Sequence, residues 1–191
     1  VAAGNSIDDI AELCRYAHQY DARVYVTVNT LIREDELPAL RSLLHQIAEV
    51  GADAVLFQDM VVPEMVKEDG LPLLLHASTQ TDNRTAEKVE QMHAVGACRV
   101  VLARELSLQE IADIHRRVPD VELEVFVHGA LCVSYSGLCN ISEYCFNRSA
   151  NRGECAQVCR MKFDLSDADG TVIEHDRHLL SLKDLNQSEH L

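Results

Sequence analysis

Four cysteines, Cys132, Cys139, Cys155 and Cys159, follow the pattern C-x6-C, fifteen intervening residues, then C-x3-C. Four thiolates brought to one place suit zinc or an iron–sulfur cluster. Gly129, Gly137 and Gly153 lie among them, giving the backbone the freedom it needs if several sulfurs are to turn inward on one centre. The spacing matches neither the usual zinc-finger ligands nor the ferredoxin runs, so it leaves both metals open. Cys145 is an additional thiol inside the pattern. The plainer alternative is a set of buried, unligated thiols. That alternative fits Cys14 and Cys98, which lie in regular apolar sequence, better than it fits four thiols in a polar, turn-rich stretch. An odd total of seven cysteines fits a reducing compartment and metal ligation better than a disulfide framework.

Other polar groups could work beside such a centre. His128 follows an apolar run directly and precedes Cys132 by four residues; it could act as acid or base, as a ligand, or as a hydrogen-bond partner of a nearby loop. Arg104 and Glu105 could form an orienting ion pair or a carboxylate clamp, because a guanidinium fork suits carboxylates and phosphates. Asn29, Gln58, His76, Ser78 and Gln80 are candidate substrate-binding groups, His76 also fitting a core-lining role. Arg148 and Arg152, with Arg160 and Lys162, place positive charge near the cysteines. Neither H-E-x-x-H nor G-x-S-x-G occurs, which removes the commonest metalloprotease and serine hydrolase signatures. Cys132 with His128 could still be written as a cysteine nucleophile and its base.

These groups need a scaffold, and the chain reads as one. Its 191 residues are 47% hydrophobic and 25% charged, a globular composition with length for a sizeable core. The net charge of −14 argues against broad attraction to phosphate backbones while leaving room for a local basic site. No run approaches the roughly 20 apolar residues of a membrane span, and VAAGNSIDD is no signal peptide; no membrane contact and a cytoplasmic location are expected.

Helical periodicity marks 7–20 with Ser6 as N-cap, 36–50, 63–68, 85–95 and 108–118 with Ser107 as cap. Between them, strands are expected at 23–29, 54–58, 71–77, 99–103 and 123–127. Five β-α units with apolar strands imply a parallel sheet covered by helices. Neither G-x-G-x-x-G nor the P-loop pattern occurs, which favours a partial TIM-barrel-like α/β fold over an open nucleotide-binding sheet. Asn29, Gln58 with Asp59, Ser78 with Gln80, Arg104 with Glu105, and His128 then stand at strand ends on one rim, where barrel active sites are built. After Arg160, Asp167-Ala168-Asp169-Gly170 between two β-rich runs signals a hairpin. The expected organisation is a partial barrel over 1–160, ending in the cysteine-rich loop, then a hairpin excursion and the opening of a helix over 161–191. Val1 in place of Met, and an end at Leu191, read as a piece of a longer protein.

Three stretches carry a resemblance: Phe126-Val127-His128-Gly129-Ala130-Leu131-Cys132, Ser136-Gly137-Leu138-Cys139, and Arg148 to Arg160 (RSANRGECAQVCR). Together they resemble the signature of the U32 peptidase, or collagenase-like, family, and VYVTVNTL, HASTQ and VLAREL resemble family segments in the family's order. The resemblance implies a TIM-barrel-like domain. It also implies that Cys132, Cys139, Cys155 and Cys159 hold a [4Fe–4S] cluster, with zinc as the alternative from the residues alone. Many relatives carry a cysteine at the position of Asn186. Better-defined relatives are implicated in hydroxylation of tRNA, of 23S ribosomal RNA or of a ubiquinone precursor, some with prephenate. The function so implied is iron–sulfur-dependent hydroxylation of an RNA base, with His128, Arg104 and Glu105 as catalytic candidates. The alternatives are a peptidase with a cysteine nucleophile and a structural zinc module.

Overall fold

A computed structural model describes residues 4–190. The chain divides into two compact units, Val1–Val125 and Phe126–Leu191, so the division falls earlier than the boundary drawn at residue 160 from sequence.

The first unit is five parallel strands alternating with helices. In chain order these are α1 (Ile7–Ala17), β1 (Tyr25–Val28), α2 (Leu37–Glu49), β2 (Ala54–Phe57), α3 (Val61–Glu68), β3 (Leu74–Ala77), α4 (Ala86–Ala94), β4 (Ala97–Val101), α5 (Leu108–Arg117) and β5 (Glu122–Glu124). The sheet order is β1-β2-β3-β4-β5 with every neighbouring pair parallel. A doubly wound sheet reverses its strand order at a switch point, whereas a barrel adds each strand beside the last. The sequential order therefore bears out a partial, barrel-like α/β arrangement.

Local chemistry starts the helices where the sequence indicates. The Ser6 hydroxyl accepts from Asp9 N at 3.1 Å while the Asp9 carboxylate accepts from Ser6 N at 2.8 Å, a reciprocal capping box that Ser107 and Glu110 repeat on α5. Helix α3 begins two residues before the expected Pro63, since a proline in the first turn forfeits no helical hydrogen bond.

Strand alternation gives the sheet two different faces. Val28, Val55, Phe57, Leu75, Ala77 and Val100 join the helix residues Leu40, Leu44, Ile47, Val62, Val89 and Ile114 in one hydrophobic core. One register row on the other face runs Thr27, Leu56, His76, Arg99, Glu122. There Arg99 bonds Glu122 through Nε at 3.0 Å and Nη2 at 2.8 Å, reaches Glu124 at 3.4 Å and lies 5.3 Å from the Tyr25 ring centroid. His76 packs edge-on against Tyr25 with centroids 4.7 Å apart and is only 2% exposed. It sits within β3, two residues before the rim position expected from sequence, and its surroundings are those of a core side chain.

The second unit is built from short pieces. Strand β6 (His128–Gly129) pairs antiparallel with β9 (Leu185–Asn186), and β7 (Phe163–Ser166) with β8 (Val172–Arg177). The expected hairpin is present, its turn closed by Asp167 Oδ1, which accepts from Asp169 N and Thr171 N, with Gly170 at φ +85°. Two expectations are corrected. The fifth parallel strand stops at Glu124, so His128 belongs to a separate pairing rather than to the rim. The stretch 182–190, read as a helix opening, contains instead β9 and a single 3₁₀ turn, Ser188–His190. A short helix, α6 (Ile141–Phe146), was not foreseen.

Two outcomes follow. Phe57→Ala, at a fully buried position, is expected to cost about 3–5 kcal/mol in urea unfolding, while Leu43→Ala, at 37% exposure on α2, should change stability by no more than about 0.5 kcal/mol. Burial, aided by the Arg99 charge, holds His76 below the ordinary histidine pKa. The unfolded chain then takes a proton that the folded chain resists, so His76's contribution to stability is present above about pH 6.5 and is lost as pH falls below it. Stability measured from pH 7 to pH 5 should decline more steeply in the wild type than in His76→Gln; equal slopes would contradict the assignment.

Candidate metal centre and substrate rim

The strand ends of the first unit form a braced polar rim. Asn29 and Ser78 stand one residue beyond β1 and β3, and Asn29 Nδ2 donates to Ser78 Oγ at 3.2 Å. Ser78 also caps the 3₁₀ turn Thr79–Thr81, its Oγ accepting from Gln80 N at 3.3 Å. Gln58, one residue past β2, is 8% exposed and its Oε1 has no hydrogen-bond partner. A buried acceptor without a partner costs stability.

Two residues hold this rim in place: Asp59, expected from sequence among the strand-end groups, and Asn83, which sequence reasoning missed. Asp59 Oδ2 accepts from Ile32 N at 3.0 Å and Oδ1 from Val61 N at 3.2 Å, fastening the loop after β1 to the start of α3. Fully buried Asn83 donates to Ser78 O at 3.0 Å and Val101 O at 2.9 Å, joining β3 to β4. A short polar side chain after a strand is an ordinary loop signal, which is why Asn83 did not stand out. Arg104 and Glu105 lie beyond the end of β4, Arg104 half-buried and Glu105 exposed.

The cysteine pattern lies wholly in the second unit. Cys132, Cys139 and Cys159 are half-buried and Cys155 is exposed, and all are free thiols. Burial raises the pKa of Cys159; the Arg160 charge opposes this, and Cys132, Cys155 and Cys139 each push it up further. The sequence-predicted thiols are therefore close enough for three of them to act on the fourth through their charge. Among the described residues no three His, Cys, Asp or Glu side chains are grouped to hold a single metal ion. A tetrahedral zinc set with Zn–S of about 2.3 Å needs sulfurs about 3.8 Å apart. A cluster, being a cage of several metal and sulfide atoms, spreads its ligands wider.

Several backbone features shape this loop. Helix α6 ends at Asn147 with φ +53°, and Gln157 takes φ +54° just before the last cysteine turn. Fully buried Ser142 accepts from Ala156 N at 3.1 Å, tying α6 to the C-x3-C turn. Exposed His128 is paired across the β6–β9 ladder with Asn186, the position where the resemblance places a cysteine in many relatives. No hydrogen bond joins His128 to Cys132 among the described residues. Arg148 is exposed and Arg152 half-buried in the same unit. No described helix is long and apolar enough to cross a membrane.

Comparison with known proteins establishes the family of the chain. The chain is 47% identical over 189 residues to the 23S rRNA 5-hydroxycytidine C2501 synthase of Escherichia coli, covering 99% of this chain and 28% of that protein. It is 34% identical over 165 residues to tRNA hydroxylation protein P1 of Bacillus subtilis, covering 86% and 39%. The chain thus spans between about a quarter and two fifths of the length of these two relatives. A solved U32 peptidase superposes with a TM-score of 0.58 at 18% identity, over 92% of this chain and 73% of that one, which supports the α/β fold. The model of peptidase family U32 matches residues 1–191, and the chain belongs to that family.

Proposed function

We propose that this chain is part of an enzyme that hydroxylates a base in RNA, with Cys132, Cys139, Cys155 and Cys159 as the ligands of an iron–sulfur cluster. The observation that carries the reading is the gathering of four free thiols in one small unit, three of them acting on Cys159. Their chemistry fits the group: four soft thiolates in one small unit. When bound, the cluster would supply electron transfer.

The substrate class comes from the relatives, whose names specify hydroxylation of ribosomal and transfer RNA. Placing a hydroxyl on a ring carbon is a two-electron oxidation. A lone cysteine nucleophile performs acyl transfer and cannot supply it, so a redox-capable thiol set is the more economical account of four clustered cysteines. The peptidase reading would want Cys132 activated by His128, and these two share no hydrogen bond. Prephenate is the co-substrate to test beside RNA.

This chain's own residues have separable tasks. Asn29, Gln58, Ser78 and Gln80 offer neutral donors and acceptors of the kind that read a base edge, with Gln58 Oε1 an open acceptor for a ligand N–H or O–H. Arg104 and Glu105 are suited to orient an anionic or hydroxylated group. Arg148 and Arg152 give a chain of net charge −14 a local place for phosphate.

Full-length protein purified without oxygen is expected to be brown and to contain iron rather than zinc. Alanine at any of Cys132, Cys139, Cys155 or Cys159 should lower bound iron at least severalfold, while Cys145→Ala should leave it unchanged; a colourless zinc protein would contradict the reading. In cells lacking the gene, mass spectrometry of RNA nucleosides should show loss of one hydroxylated pyrimidine, restored by Cys145→Ala and not by Cys132→Ala. Unchanged nucleosides, together with peptide cleavage abolished by Cys132→Ala, would favour the peptidase.

A further inference from the structure

The residue after the last cysteine is tied to the residue before the first. Arg160 donates from Nη2 to the carbonyl oxygen of Leu131 and from Nη1 to Ser181 Oγ at 2.8 Å. Its own carbonyl oxygen lies 2.9 Å from His178 Nδ1. Leu131 precedes Cys132 and Arg160 follows Cys159. One half-buried side chain thus closes a loop of 29 residues in sequence separation and anchors it to the segment 178–181. A second brace, from Ala156 N to Ser142 Oγ, joins α6 to the C-x3-C turn.

We propose that Arg160 is the positioning residue of the thiol set: its guanidinium holds Cys132 beside Cys159, so that the two halves of the cysteine pattern face a common centre. The proposal rests on the ligand set given above. Arg160 acts through the backbone of Leu131 rather than on any reacting atom. Two donors on a rigid planar fork can serve Leu131 and Ser181 together, whereas a lysine ammonium at the same place is a single point on a flexible stem. Geometry, more than charge, is the feature that matters here.

Two readouts on the full-length protein test this, one of them free of metal. The first is the yield of a Cys132–Cys159 cross-link when reduced, metal-free protein reacts with a short bis-maleimide, read by peptide mapping. The second is iron per chain after anaerobic reconstitution with ferrous iron and sulfide. Arg160→Gln should lower the cross-link yield at least threefold and iron to less than half of wild type. Ser181→Ala should give a smaller loss in both, and Arg160→Lys should restore neither. Wild-type cross-link yield in Arg160→Gln, or full recovery in Arg160→Lys, would overturn the proposal. If Arg160→Gln does not fold, wild-type values in Ser181→Ala overturn it instead. Loss of the cross-link in Arg160→Gln with no iron uptake even by wild type would uphold the strap and sink the cluster.

Discussion

Sulfurs held close to one another resist ionisation together. Each thiolate raises the pKa of its neighbours, as Cys132, Cys139 and Cys155 do for Cys159, and burial adds to the cost. Such a set is poorly suited to sit as free anions and well suited to receive a cationic centre, which converts mutual repulsion into ligation and releases the protons. The second unit that carries these sulfurs is built from short pieces. Its strands are short, with two of them only two residues long, and its turns use left-handed residues at Asn147, Gly153 and Gln157. Side-chain to backbone bonds from Ser142 and Arg160 take over the bracing that a larger core would otherwise give.

The first unit meets a different constraint. Its helices and one sheet face make a single hydrophobic core, while the other sheet face carries Tyr25, His76, Arg99 and Glu122. An arginine fixed by two carboxylates and an aromatic ring is fully engaged, and a neutral histidine packed beside it adds no charge to be compensated. These groups fill the inner face as side chains fill a barrel, and they leave the polar chemistry to the strand ends above them. Asp59 and Asn83 make that edge rigid by fastening each loop to the neighbouring strand. Precise placement of a bound group depends on such support.

The parts legible in the sequence were those governed by local pattern. The five strands and their helices came from hydrophobic period, the caps at Ser6 and Ser107 from residue type, and the hairpin from Asp-Gly. What stayed hidden depended on pairing across sequence. His128 follows an apolar run and so reads as a strand end, but nothing local reveals that the ladder ends at Glu124 and that residues 128–129 pair with 185–186. The same pairing turns an apparent helix start into β9. His76 looks like a rim group until its partner Tyr25, some fifty residues earlier, is seen to cover it. Arg160 is one of several positive residues near the cysteines, and only its contact with Leu131 separates it from a solvated rim.

X-ray absorption of the full-length protein, purified without oxygen, tests the thiol centre most directly. The account predicts an iron edge with sulfur neighbours and a second shell of iron atoms, the second shell disappearing in Cys159→Ser. A zinc edge with four sulfurs at about 2.3 Å, unaccompanied by any metal–metal shell, would contradict it.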